Sequence, residues 1–473
     1  MTPRPDNGID SGCNVVVVSD VHLGEDLLPG ASGRAARDVG LAEAAFTDFV
    51  RHLTRTRQDG RPWRLVINGD GIDLMLAPTA GGAFPETRTA AAALARIDLI
   101  IARHPGAFEA LARFAAAGNR VDLVAGNHDL ELIWPEVGAH AVAAIAALAP
   151  GVAGVAQRIA VRPWFVYEPG LCWIEHGHQY DATCSFEYGL APADPRTGQV
   201  VDNLDYAAAR HLGGAAPDVD PRGTEAWGFG GFLRYGMSLG ASGMGRMLGG
   251  YWRFVRALWH ARGIHRSVRV RRARAEAHDT RLASLAVSAN VSESLLRDVD
   301  GLRRPPITMS VARLAELLML DRWALAIGTL LMLVGTWALA PSAIALVLSA
   351  LIVGGAYALG GWLASRRNPD NILPLKLAAA RIRGRVDAPF VVFGHTHEAL
   401  HEVLPSGGAY LNSGTWLPAI RPGLLRAFTH VVLRRTPSGP VAELRQWRDG
   451  GSRRFDSDEV TPLPAAARAA RAA

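Results

Sequence analysis

Five places in this chain set metal-binding or proton-transferring side chains directly after a short apolar run. Asp20-Val21-His22 follows Val15 to Ser19, Asn68-Gly69-Asp70 follows Leu65 to Ile67, and Gly126-Asn127-His128-Asp129 follows Val121 to Ala125. His176-Gly177-His178 follows Cys172 to Glu175, and Gly394-His395-Thr396-His397 follows Phe390 to Phe393. Carboxylate, amide and imidazole together form the mixed oxygen and nitrogen donor set that divalent Mn, Fe or Zn accepts. In Asp20-x-His22 the two-residue spacing puts both side chains on one side of an extended chain, within reach of one ion. Glycines beside Asp70, Asn127, His176 and His395 let the backbone bend sharply and come close to the ions. Each piece alone has an ordinary reading, since a lone histidine is commonly structural and Asn-Gly or Gly-Asp pairs commonly mark turns. All five in order argue for one site.

Such a site needs elements that bring five segments together. The runs before each cluster read as strands, and between them Leu41 to Thr54 and Thr89 to Ala117 repeat apolar residues at three- and four-residue spacing, as helices do. Alternating strands and helices indicate an α/β domain. In α/β sheets ligands gather beyond the carboxyl ends of the strands, which is where all five clusters fall. The strand pattern resumes late in the chain with Phe390 to Phe393, Ala409 to Asn412, Phe428 to Leu433 and Val441 to Gln446. One domain is therefore expected to be interrupted and then completed.

The ordered motifs resemble the calcineurin-like metallophosphoesterase family, whose pattern is D-x-H, G-D-x-x-D, G-N-H-D/E, H and G-H-x-H. This chain supplies Asp20-Val21-His22, Gly69-Asp70-Gly71-Ile72-Asp73, Gly126-Asn127-His128-Asp129, His176 and Gly394-His395-Thr396-His397. The resemblance covers about residues 14 to 180 and 385 to 447. It implies a β-sandwich flanked by helices that holds two divalent metal ions. Asp20, His22 and His397 would hold one ion, Asn127, His176 and His395 the other, and Asp70 would bridge them. His128 would act on the substrate phosphate, with Asp129 as its partner. Asp73 is either a group standing behind the ligands or a plain helix-start residue, and His178 either lines the site or orients His176. Two such ions can lower the pKa of a shared water, hold two phosphoryl oxygens and stabilise in-line attack on phosphorus, so no protein nucleophile is needed. No Walker-type sequence is present, since the only lysine, Lys376, follows Pro374-Leu375.

The phosphoprotein phosphatases of that family carry Asp-Arg-Gly after the second motif, whereas here Asp73 is followed by Leu74-Met75. Part of the chain is similar to UDP-2,3-diacylglucosamine hydrolases, in the opening Ser19 to Leu23 and in the closing Gly-His-Thr-His. It departs from them at His128, where they carry Arg, and in placing its long insertion after His176. The expected activity is phosphoester hydrolysis, as phosphatase or phosphodiesterase, on a lipid-linked or nucleotide-linked phosphate. The alternatives are a nuclease or cyclic-nucleotide phosphodiesterase, and a non-catalytic membrane scaffold of the same fold.

The insertion points to a membrane. Trp323 to Ala340 and Ala343 to Ala364 carry no charged residue and are separated by Pro341 and Ser342. At 1.5 Å per helical residue each run can cross a hydrocarbon layer of roughly 30 Å. Arg313 and Arg322 precede the pair, Arg366, Arg367 and Lys376 follow it, and the turn at Ala340 to Ser342 is uncharged. By the positive-inside rule both flanks, and the catalytic domain with them, are expected in the cytoplasm, with the hairpin in the inner or plasma membrane. Val137 to Ala156, apolar but interrupted by His140 and Pro150, reads as a soluble helix and loop.

The rest of the 473 residues agrees with that placement. At 49% apolar and 20% charged the chain can bury a full core, and its length allows two to three domains. Cys13, Cys172 and Cys184 are too few and scattered for a disulfide scaffold, which suits a reducing compartment. Lys376 is the only lysine, so the net charge of +6 is carried by arginine. Within the insertion, glycines (Gly228, Gly230, Gly231, Gly236, Gly240) precede a stretch where Tyr251, Trp252, Phe254 and Trp259 interleave with Arg253, Arg256 and Arg262. Arginine between aromatics suits an anionic lipid surface better than a solvated helix face or nucleic acid. The expected division is thus 14–180 and 385–447 for the two parts of the metallophosphoesterase domain, 181–320 for a basic helical insertion, 321–366 for the hairpin and 456–473 for a loose tail.

Overall fold

The computed structural model describes residues 12–28, 33–78, 87–212, 235, 237–318, 320–365, 372–418, 420–421, 424–425 and 427–455. Arg366, Arg367, the glycines at 228 to 236 and the tail from Asp456 lie outside those residues.

Four valines in a row open the fold. In β1 (Asn14–Val18) side chains alternate between faces, and every one is buried. Val16 and Val18 join an apolar cluster with the helices, while Val15 and Val17 join a second cluster facing another sheet. A strand covered on both sides reads as a continuous β-branched run, as this one does. Each such burial is worth about 1.5–3 kcal/mol.

The remaining strands are β2 (Trp63–Asn68), β3 (Arg120–Val124), β4 (Ile159–Arg162), β5 (Phe165–Glu168), β6 (Cys172–Glu175), β7 (Phe390–Phe393), β8 (Leu400–Val403), β9 (Ala409–Asn412), β10 (Ile420–Arg421), β11 (Leu424–Leu425), β12 (Thr429–Thr436), β13 (Gly439–Arg448) and β14 (Gly451–Arg454). One seven-stranded sheet has the order β14-β13-β12-β1-β2-β3-β4, and a five-stranded sheet has the order β5-β6-β7-β9-β8. Strands β1 to β4 run parallel, as do β6, β7 and β9. Both sheets combine strands from before and after the insertion.

Alternation then makes the layers. Val66 and Val124 point with Val15 and Val17 toward Cys172, Ile174, Val392 and Leu411 of the other sheet. On the far side of the first sheet, Leu65, Ile67 and Val121 pack on α1 (Gly33–Arg55), α2 (Ala90–Arg103), α3 (Pro105–Ala116) and α4 (Pro135–Ala147). The single helical stretch expected over Thr89 to Ala117 is two helices. Pro105 is the first residue of the second, where its missing N–H leaves no bond unmade, and it ends the first at His104. Val137 to Ala156 covers all but the first two residues of α4 and the loop after it, with Val137, Ala141 and Ile145 buried under the first sheet.

The insertion supplies α5 (Leu204–His211), α6 (Gly240–Arg266), α7 (Val268–Ala289), α8 (Glu293–Asp300), α9 (Val311–Leu317), α10 (Leu320–Leu339) and α11 (Ser342–Ser365), before α12 (Ile372–Arg383) returns to the second sheet. Leu282 of α7, Leu296 of α8 and Leu375 and Ile382 of α12 cover Val391 and Phe393. The fold is therefore mixed α/β, two sheets face to face with helices on their outer sides. Two helices, Leu320–Leu339 and Ser342–Leu363, are long and apolar enough to cross a membrane, and almost none of their residues is buried. They run antiparallel, with Trp337 Nε1 donating to Ser349 Oγ at 3.1 Å near the turn and Arg322 donating to the Gly360 carbonyl at the open end.

Candidate metal centre

Each strand ends in a loop that another loop holds in place. Beyond β1 the Asp20 amide donates to Gly69 O (3.2 Å) and the His22 amide to Asp70 O (2.9 Å), so the first two clusters are locked together by backbone alone. Asp20, His22, Asp70, His395 and His397 all have positive φ, between 53° and 70°, which makes five of the nine such non-glycine residues among those described. Left-handed backbone costs a side-chain-bearing residue on the order of 1 kcal/mol, and such strain persists where the surroundings over-determine it, typically at functional sites. Glycine is required alongside. A Cβ at Gly69 (φ 79°) would overlap the His176 ring, one at Gly126 would strike Asp70, and one at Gly394 would lie 2.7 Å from Asp20 Oδ2.

The loops bring together all seven residues expected as ligands. Asp20 Oδ1 lies 3.1 Å from His397 Nε2, and His22 Nε2 lies 3.3 Å from the same nitrogen. His176 Nε2 is 3.1 Å from Asp70 Oδ2 and 3.1 Å from Asn127 Oδ1. Donor atoms of Asp20, His22 and His397 fall within 4.8 Å of one another, as do those of Asp70, His176 and His395 and those of His22, Asp70 and His128. Asp70 is thus common to two groups.

The donor set fits divalent ions. Asp20 Oδ1 is buried yet accepts no hydrogen bond, its contact with His397 being an ion pair only. Two imidazole Nε2 atoms meet at 3.3 Å, where at most one proton can lie between them. The carboxylates are held ionised. Burial would raise Asp20, but His397 and His176 bring it down to about 2; burial is likewise overcome at Asp70, chiefly by His176 and His128, and its pKa lies well below the ordinary value. His176 moves the other way, burial being outweighed by Asp70 and Asp20 to leave it at about 9. Its Nδ1 donates to Asn68 O at 2.8 Å, which turns Nε2 toward the site.

His128 stands in the centre, and its partner is Asp73. His128 Nδ1 lies 2.8 Å from Asp73 Oδ2, and His22 Nδ1 lies 3.3 Å from the same oxygen. Asp129 was expected in that role and does something else. Its carboxylate turns back and accepts from the amides of Gly126 (2.6 Å), Asp70 (3.2 Å), Gly71 (2.9 Å) and Ile72 (3.4 Å), tying the second loop to the third. The physical reason is charge density, since a buried carboxylate is best satisfied by a cluster of otherwise unpaired N–H groups. His178 does not orient His176, which Asn68 does; its Nε2 accepts from the Gln179 amide at 2.9 Å.

Three residues that the sequence left unmarked complete the surroundings. Asp181 Oδ2 is 3.2 Å from His395 Nε2 and fixes that ring. Asp205 of α5 accepts from Asn127 Nδ2 at 3.1 Å, with His128 Nε2 3.6 Å away, so the insertion roofs the site. Arg88, fully buried against Glu131, donates to the Asn127 carbonyl at 3.1 Å and fixes that loop from behind. None lies in a local pattern; Asn203 before α5 reads as a helix cap, and nothing in it tells where Asp205 points.

No protein-family model, curated protein or solved structure matches the chain.

Proposed function

We propose that the chain is a phosphoester hydrolase with two divalent metal ions, of the calcineurin-like metallophosphoesterase type, carried on a membrane by the α10–α11 hairpin. The observation that supports this best is Asp70, whose carboxylate belongs at once to the His22 group and to the His176–His395 group. Asp20, His22 and His397 would hold one ion, Asn127, His176 and His395 the other, and Asp70 both. When bound, Mn, Fe or Zn ions would lower the pKa of a water and neutralise charge on the phosphoryl oxygens.

The chain's own part is to place and protonate. Burial opposes a charge on His128, but Asp73 and Asp70 outweigh it and raise its pKa well above the ordinary value. Its Nδ1 is held by Asp73, which leaves Nε2 facing the site. From there it can donate to a phosphoryl oxygen or to the leaving oxygen. Hydrophobic packing around the loops and the buried Arg88–Glu131 pair keep those groups from relaxing away from substrate.

The test is hydrolysis of p-nitrophenyl phosphate and bis-p-nitrophenyl phosphate by purified protein in detergent, after EDTA and after Mn readdition. EDTA should abolish activity and Mn restore it. Asp70→Asn should lower it by about 10²-fold or more, because both ion sites lose their shared charge. Metal-independent turnover, or an Asp70→Asn variant as active as wild type, would overturn the proposal.

A further inference from the structure

Helix α6 has two apolar faces. Phe254, Leu258 and Ala261 are buried, the first two against Ala207 of α5 and Leu314 and Leu318 beside the hairpin. On the other side Leu248, Trp252 and Trp259 recur at spacings of four and seven, which aligns them in one stripe, and they are 53%, 69% and 59% exposed. Exposed arginines flank the stripe. Arg253, Arg256 and Arg266 enter no ion pair among the described residues, whereas Arg271, Arg272 and Arg274 of the adjoining α7 pair with Glu187 and Glu276. A water-facing helix gains nothing by showing two indole rings. Indole is favoured where an apolar body and a polar edge meet, as at a bilayer's headgroup boundary.

Helix α6 is tied to the foot of the apolar hairpin through a residue beside the stripe. Tyr251, next to Trp252, donates its hydroxyl to Leu318 O at 3.0 Å, just ahead of α10, and is also hydrogen-bonded to Trp323 in the first turn of that helix. If α10 enters a membrane, the middle of α6 is held beside its surface, and the helix as a whole is about 40 Å long at 1.5 Å per residue. We propose that α6 lies in the interface of an anionic bilayer, with Leu248, Trp252 and Trp259 below the headgroups and Arg253, Arg256 and Arg266 on lipid phosphates. This rests on the membrane reading of the hairpin. A second copy of the chain is a poorer occupant, because it would set these arginines against their own kind.

The consequence reaches the candidate metal centre. The buried face of α6 holds α5 through Ala207, and α5 carries Asp205 onto Asn127 and His128. A docked α6 therefore fixes the roof of the site relative to the lipid surface. The substrate class this favours is a phosphate ester whose apolar part stays in the bilayer.

Cysteine replacing Trp252, Trp259 or Val152 gives a labelling site for an environment-sensitive fluorophore in the full chain, because the native Cys13, Cys172 and Cys184 are buried. In nanodiscs containing phosphatidylglycerol, labels at 252 and 259 should emit to the blue and resist iodide quenching, while the label at 152 stays quenchable. Quenching at 252 and 259 equal to that at 152 would overturn the proposal, as would protection that needs no anionic lipid and grows with protein concentration. Trp252→Glu with Trp259→Glu should cut hydrolysis of a bilayer-embedded phosphate ester by about tenfold and leave p-nitrophenyl phosphate hydrolysis unchanged. The fluorescence readout needs no turnover, so a chain without phosphoesterase activity would refute the proposed function and leave the docking result to stand or fall alone.

Discussion

Asp73 and His128 lie 55 positions apart and share one hydrogen bond of 2.8 Å. Asp73 also receives His22 Nδ1, so a single carboxylate sets both the ring proposed as a ligand and the ring proposed to act on substrate. Burial alone would protonate it, yet His128 and His22 hold its pKa well below the ordinary carboxylate value. His128→Ala should lower kcat by about 10²–10⁴-fold with metal content unchanged. Asp73→Asn should act partly through the same proton and partly through His22, so the double variant should lose less than the product of the two single losses, as kinetics beside elemental analysis would reveal. Additive losses would separate the two residues. Asp129→Ala should behave differently, because four amides lose their acceptor; a stability loss of about 2 kcal/mol or more, read as a fall in Tm, is expected before any specific kinetic effect. The motifs include both Asp73 and Asp129, and the resemblance gives Asp129, not Asp73, as the partner of His128. Which one turns toward His128 depends on loop conformation, and neighbours in sequence do not encode that.

At the scale of elements, strands buried on both faces were legible because their residues are uniformly apolar, as in Val15 to Val18 and Phe390 to Phe393. Two strands half in water were not. β8, Leu400–Val403, alternates half-buried and exposed residues and includes His401 and Glu402, and β14, Gly451–Arg454, holds no apolar side chain; their partners, β9 and β13, make them strands. The β12 strand shows what such pairing can bury. His430 lies between Phe49, at 4.6 Å between rings, and Ser452, whose hydroxyl is 2.7 Å from Nε2. Burial pushes its pKa down to about 3 from the usual 6.5. The folded state accepts only the neutral ring, so this contribution to stability is complete above pH 6.5 and is lost as pH falls toward 3. Between pH 7 and 5 the native protein should lose about 2 kcal/mol from this residue. His430→Gln should not lose it, and the difference in Tm between the two proteins should shrink or reverse over that interval. A constant difference would show that His430 carries no such linkage.

For the whole molecule, topology follows from where the chain returns. His395 N donates to Asp20 Oδ2 at 3.1 Å, and β7 pairs in parallel with β6. Residues before and after the insertion therefore occupy one sheet and one site, and the chain between them can cross a membrane only an even number of times. Two apolar helices satisfy that, whereas one would part His395 and His397 from the rest. The same count rejects a span at Val137 to Ala156, whose helix is buried under the first sheet. Arg313 stands before the hairpin, Arg322 in its first turn and Lys376 after it, and the turn at Ala340 to Ser342 has no charge, so the open end should face the cytoplasm. Ser342 and Ser365 are both exposed and sit at the first and last residues of α11. With cysteine at one or the other, in a background lacking Cys13, Cys172 and Cys184, an impermeant thiol reagent applied to intact cells should label position 342 and spare position 365 until the cells are opened. Labelling at 365 in intact cells would invert the orientation, and full-length protein recovered in the soluble fraction without detergent would remove the hairpin from the membrane altogether.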